Sequence, residues 1–235
     1  MSQTKAKFTL YGHMGPNPLK VAIVLEELGL DFETVVVDIR KDEHKKPEYL
    51  KLNPNGRLPA LVDHNNNDFV IWESDAILLY LVDKYDPEHK LSVADAEEKY
   101  KLLQWLFFQA SGQGPYFGQA FWFERYHPER IPSAIERYQK EILRVFGVLD
   151  SVLSKQDWLV GGKLTIADLS FIIWNEGALT FTGIKQLQGV DIEKQYPAFY
   201  KWHQKLIARP VVAKYIKQQK QAADQMEEQA KASRK

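Results

Sequence analysis

The first apolar positions of the chain alternate with polar ones, Lys7-Phe8-Thr9-Leu10-Tyr11, which is the two-residue period of a strand with one buried face. A turn of small and polar residues, Gly12 to Asn17, follows. From Pro18 to Gly29 the apolar residues of PLKVAIVLEELG recur at helical spacing, with proline suited to the first helical position and glycine to the cap beyond the last. FETVVVDI is β-branched and strand-like, and reaching it through a helix implies a parallel pair with the first strand. A short helix is predicted over 44–50. ALVD and FVIWE, joined by the polar tract HNNND, read as a β-hairpin, and SDAILLYLVDKY reads as a helix capped by Ser74.

That order, β-α-β-α-β-β-α, predicts an α/β thioredoxin-like domain over residues 1–87. Past DPEHKLS the strand signals stop, and a second, all-helical domain is predicted over 93–235. Its helices are expected at 93–124, 131–154, 165–179, 196–207 and 210–222. Thr165 and Asp168 have capping-box spacing at the start of an apolar helix, a structural role. The stretch Leu102 to Phe108 is apolar almost all round and must be covered on more than one side, by its own subunit or by a partner. The tail QQKQAADQMEEQAKASRK is polar and reads as a solvated helix.

Charge and composition narrow the function classes. Thirty-one basic and 31 acidic side chains leave no net field with which to hold phosphates, so no nucleic-acid partner is expected. Cysteine is absent, which excludes a zinc–thiolate site, a disulfide framework and chemistry on a thiol of the protein's own; no metal is expected. No window is long and apolar enough to cross a membrane, and the polar start MSQTKAKFTLYGH has no signal-peptide core, so a cytoplasmic location is expected.

Three short patterns carry candidate chemistry. Arg57-Leu58-Pro59 stands at the entrance to a strand, where a cis proline would turn the Leu58 backbone toward an extended ligand; an ordinary edge or turn proline is the competing reading. Glu73-Ser74 sits where a strand ends and a helix begins, a place for an ammonium beside a carboxylate, or else a plain cap. Asn17-Pro18 either caps a helix or presents Asn17 to a ligand thiolate. His13 is either a base or a turn histidine exposed to solvent, Tyr11 a core residue, and His44 either a ligand contact or part of a charged face. The aromatic segment PYFGQAFWFERY has more rings than one core stripe needs. The flanking Gly112, Gly114 and Gly118 are read as opening a pocket mouth for an apolar molecule.

In combination these patterns are more specific. From about Phe8 to about Lys217 the chain resembles the glutathione transferase superfamily. Pro16-Asn17, NPNGRLPALVDH, IWESDAILLYLVDKY, GPYFGQAFWF and WLVGGKLTIADL are similar to its fungal nitrogen-regulator-like (Ure-two-like) class, related to the bacterial nu class. The resemblance implies the cytosolic glutathione transferase fold and glutathione as co-substrate. It implies that Glu73 and Ser74 hold the γ-glutamyl group, that Leu58 beside cis-Pro59 pairs with the cysteinyl backbone, and that His44 and Arg57 lie near the glycyl carboxylate. Asn17 then stabilises the thiolate, while Tyr116, Phe117, Phe121, Trp122 and Arg125 form the second-substrate pocket. Conjugation of electrophiles and reduction of organic hydroperoxides or small disulfides, in detoxification and oxidative stress, are the implied activities; a non-catalytic ligandin or regulatory protein is the alternative. A homodimer is expected. The Asn/Gln-rich prion segment of the class's yeast regulator has no counterpart ahead of this fold, which favours an enzyme.

Overall fold

A computed structural model describes residues 7–187 and 189–232. By its contacts the chain separates into two units, one running up to Pro87 and taking in the segment from Arg209 onward, the other spanning Glu88–Ala208.

The first unit is built on four strands, β1 (Phe8–Gly12), β2 (Phe32–Val36), β3 (Ala60–Asp63) and β4 (Phe69–Trp72), in the order β2-β1-β3-β4. The predicted β-α-β unit is present: β1 and β2 are parallel and joined by α1 (Pro16–Glu27). The predicted hairpin β3–β4 is antiparallel. Gly29, at φ +67, ends α1 as foreseen, donating to Glu26 O while Leu30 N–H returns to Leu25 O, the paired bonds of a glycine C-cap. Between β2 and β3 a 3₁₀ turn at Ile39–Lys41 comes first, and the single helix expected at 44–50 is broken into a second 3₁₀ turn at Glu43–Lys45 and a short α2 (Pro47–Leu50), because Lys46 before a proline is extended. After β4 comes α3 (Ser74–Tyr85), whose buried Ile77, Leu78, Leu81 and Val82 form its core face.

The second unit is helical: α4 (Ala96–Phe108), α5 (Gly114–Phe121), α6 (Pro132–Leu153), α7 (Ile166–Phe181), α8 (Ile192–Gln195) and α9 (Pro197–Ile207). The long helix expected over 93–124 runs from Ala96 to Tyr126, interrupted by a π turn at Gln109–Gln113 and ended by another at Trp122–Tyr126. The capping box at α7 is formed, Thr165 Oγ1 accepting from Ala167 N–H and Asp168 accepting from Thr165 N–H. Within this unit the Leu102–Phe108 stretch is covered on one side: Leu102, Trp105 and Leu106 are buried, whereas Phe107 is 69% exposed.

The last helix, α10 (Pro210–Ala232), departs from the expected domain boundary. It belongs with the first unit because it is tied to α1 by Arg209 on Glu27 (2.7 Å) and Lys214 on Glu26 (2.6 Å). No helix among the described residues is long and apolar enough to cross a membrane.

Candidate functional site

The start of α1 differs from its sequence reading in a way that matters. The N-cap is Gly15, extended at φ −81 and ψ 162, so Pro16, Asn17 and Pro18 are the first three helical residues. Asn17 is therefore not the cap. A helix start ordinarily offers four amide N–H groups. Here Pro16 and Pro18 have none, and that of Leu19 is spent on Gly15 O at 3.2 Å. Of the first three helical residues only Asn17 carries an amide N–H, and it carries a side-chain carboxamide as well.

His13 shapes this turn from within. Its Nδ1 accepts the Gly15 N–H at 2.7 Å, and a Cβ on Gly15 would lie 2.2 Å from the ring, so only glycine fits. Burial first, and nearby His44 second, hold His13 below the ordinary histidine range. With Nδ1 accepting, the neutral ring carries its proton on Nε2.

The Leu58–Pro59 peptide is cis, as the R-L-P motif predicts. Ahead of it the Arg57 carbonyl accepts twice, from the buried Tyr49 hydroxyl at 2.7 Å and from Asn53 Nδ2 at 2.8 Å. Asn53 also accepts from Asn55 N–H at 3.0 Å, closing the NPNG turn. Burial pushes the Tyr49 phenol up, leaving it a donor across the accessible pH range. Leu58 is half-buried against the cluster of Val37, Tyr49 and Ala60, and the Arg57 side chain is exposed. Beside this turn, His44 Nδ1 is buried with no hydrogen-bond partner among the described residues, a group that fits an incoming ligand better than it fits the protein alone.

Glu73 and Ser74 are also displaced by one position. Glu73 is the N-cap of α3, and Ser74, expected there, is the first helical residue and is buried. Glu73 sits at φ +67 and ψ 110, a conformation a non-glycine residue rarely takes, and its side chain is exposed.

Beneath both helix starts lies an ion pair that the sequence pattern does not reveal. Lys20 Nζ meets Asp75 Oδ1 at 2.7 Å, with the two side chains only 1% and 13% exposed. Burial opposes both charges, lowering the lysine and raising the aspartate, and each is sustained by the other. Lys20 lies one turn along from Asn17, and Asp75 follows Ser74, so the pair locks together the two elements that carry the candidate ligand groups.

Comparison with known proteins agrees with this geometry. Residues 6–83 match the family "Glutathione S-transferase, N-terminal domain" and residues 113–210 match "Glutathione S-transferase, C-terminal domain". Glutathione S-transferase 1 of Schizosaccharomyces pombe is 52% identical over 229 residues, 93% of this chain and 99% of that one. The chain belongs to the glutathione S-transferase family. Among solved structures, the glutathione transferase URE2P6 from Phanerochaete chrysosporium, in complex with oxidized glutathione, is 60% identical. Its TM-score is 0.86, and the match covers 92% of this chain and 98% of that one. Ure2p5 from the same fungus, cocrystallized with 1-(S-glutathionyl)-2,4-dinitrobenzene, is 56% identical with a TM-score of 0.88, covering 95% and 99%. The Ure2-like class recognised in the sequence is thus the class of its relatives.

The aromatic segment lies in the helical unit and divides differently from the sequence reading. Phe117, expected in the pocket wall, is fully buried with its ring edge-to-face on Phe146 at 5.9 Å, and belongs to the core. A Cβ on Gly114 would stand 3.5 Å from Gln109 O and one on Gly118 3.7 Å from the Trp174 ring, ordinary contact distances. Trp122 and Arg125 are exposed, while Tyr116 and Phe121 are half-buried. The second π turn sets the rings here, stacking Phe123 between His127 (5.1 Å) and Tyr138 (5.6 Å) and leaving Trp122 46% exposed. The first π turn is held by a buried chain in which Gln109 donates to Gln113 (3.0 Å) and Gln113 to Asn175 (2.7 Å).

Proposed function

We propose that this protein is a glutathione transferase in which Asn17 stabilises the glutathione thiolate for conjugation of electrophiles and for reduction of organic hydroperoxides and small disulfides. The observation that carries the reading is the place of Asn17 at the start of α1 between two prolines, where it is the one residue of the first three with an amide N–H and has a carboxamide beside it. Lowering a thiol from ~8.5 by ~2 units requires about 2.7 kcal/mol in favour of the thiolate. The helix terminus contributes ~0.3–1 kcal/mol and a hydrogen bond to a charged group ~1.5–3, so the terminus with one donor from Asn17 reaches that figure. Asparagine takes no proton, and His13 has no acceptor nitrogen left, so the thiol proton leaves to solvent or to the ligand's own carboxylate.

In this reading Glu73 meets the γ-glutamyl ammonium, Ser74 its carboxylate, Leu58 the cysteinyl backbone, and His44 and Arg57 the glycyl carboxylate. Tyr116, Phe121, Trp122 and Arg125 serve the second substrate. In conjugation the sulfur forms a bond to the electrophilic carbon while the leaving group departs with its electron pair. In hydroperoxide reduction two glutathione thiols become one disulfide, and the hydroperoxide becomes an alcohol and water. A homodimer working in the cytoplasm completes the proposal.

The test is a spectrophotometric panel with glutathione and a chlorinated aromatic, an isothiocyanate, an organic hydroperoxide and hydroxyethyl disulfide, on wild type and Asn17→Ala. Turnover should fall in the variant and its pH–rate profile should move upward. A wild type that binds glutathione by calorimetry yet turns over none of the four is instead a ligandin.

A further inference from the structure

The peptide group joining Met14 to Gly15 is gripped at both ends. Its N–H, on Gly15, goes to His13 Nδ1 at 2.7 Å, and its carbonyl, on Met14, accepts from Gln219 Nε2 at 3.0 Å. This peptide leads into the N-cap Gly15, one peptide ahead of the Gly15–Pro16 bond, so its orientation helps to fix the cap from which α1 begins. A donor on the carbonyl also polarises the peptide and strengthens the bond its N–H makes.

The donor comes from α10, 205 residues away in sequence. Buried Val212 and Tyr215 seat that helix, and Arg209, Lys214 and the Tyr215 hydroxyl tie it to Glu27 and Glu26 at the far end of α1. Gln219 is half-buried within a stretch otherwise rich in exposed polar residues, and its bond runs to backbone rather than to another surface group.

We infer that Gln219 is a positioning residue: through the Met14–Gly15 peptide it holds Asn17 in register with the sulfur of bound glutathione. The inference rests on the thiolate reading above. It makes the C-terminal helix a working part of the glutathione-binding unit.

The test is a pH titration of the ultraviolet absorbance of bound glutathione thiolate in wild type, Gln219→Ala and Gln219→Glu. Glutamate keeps the size of glutamine but, ionised, cannot donate. In both variants the midpoint should rise by about half to one pH unit, which leaves about three- to tenfold less thiolate at low pH. A side chain that only stabilises the fold would lower the melting temperature without moving the midpoint, and that result overturns the inference. A lowered midpoint in wild type that both variants retain overturns it alone. A wild-type midpoint equal to that of free glutathione overturns the thiolate reading and the inference together.

Discussion

At the scale of single residues, the site depends on small departures from ordinary use. Gly15 is required by contact, because any Cβ would enter the His13 ring. His13 is required as a neutral acceptor, and that requirement has a sign. Its folded value lies below the ordinary 6.5, so as pH falls from 6.5 the unfolded chain takes up a proton that the folded one refuses, and stability is lost. His13→Asn places a carboxamide oxygen close to where Nδ1 stands and keeps an acceptor that does not titrate. Urea denaturation at a series of pH values should show a weaker acid-side decline in the variant than in wild type. Superimposable curves would mean that His13 plays no such part. The side chains that the sequence puts forward, Asn17, Glu73 and Ser74, are individually unremarkable in type. What distinguishes them is backbone position, second rather than cap for Asn17, and φ +67 for Glu73.

Between elements, the Lys20–Asp75 pair couples α1 to α3. Removing one partner of a buried pair strands a charge and costs ~3–5 kcal/mol, whereas replacing both by apolar groups is close to neutral. Lys20→Met should therefore lower the unfolding free energy by about that amount, and Lys20→Met with Asp75→Leu should recover most of it. Guanidinium denaturation of the two variants decides the matter: a single variant as stable as wild type would show that the pair does not hold the helices. Lys20 is the one basic residue of the apolar-periodic segment PLKVAIVLEELG. Only its placement against Asp75, 55 residues later, makes it interior.

For the whole molecule, α4 presents Tyr100 at 74% and Phe107 at 69% exposed, with half-buried Leu103 between them. These positions recur at helical spacing as one apolar row, the kind of surface that subunits bury against each other. Under the homodimer proposal, sedimentation should find two chains per particle in wild type and one in Phe107→Glu. A wild type that stays monomeric at every concentration would refute the dimer.

Local rules suffice for much of this protein. Strand alternation, helix periodicity, the Gly29 stop, the Thr165 capping box and the order of elements in the first unit are all settled by neighbours within a few residues, and all are legible in the chain. The motifs R-L-P, E-S and P-N-P stand at element boundaries for the same reason, since each is a local backbone arrangement. What lies at long sequence separation is not legible in this way: the Lys20–Asp75 pair, the burial of Phe117 on Phe146, and the return of α10 to α1. Each depends on which distant surface a side chain meets, and a one-dimensional pattern of apolar and polar positions carries no information about that meeting until the chain has packed.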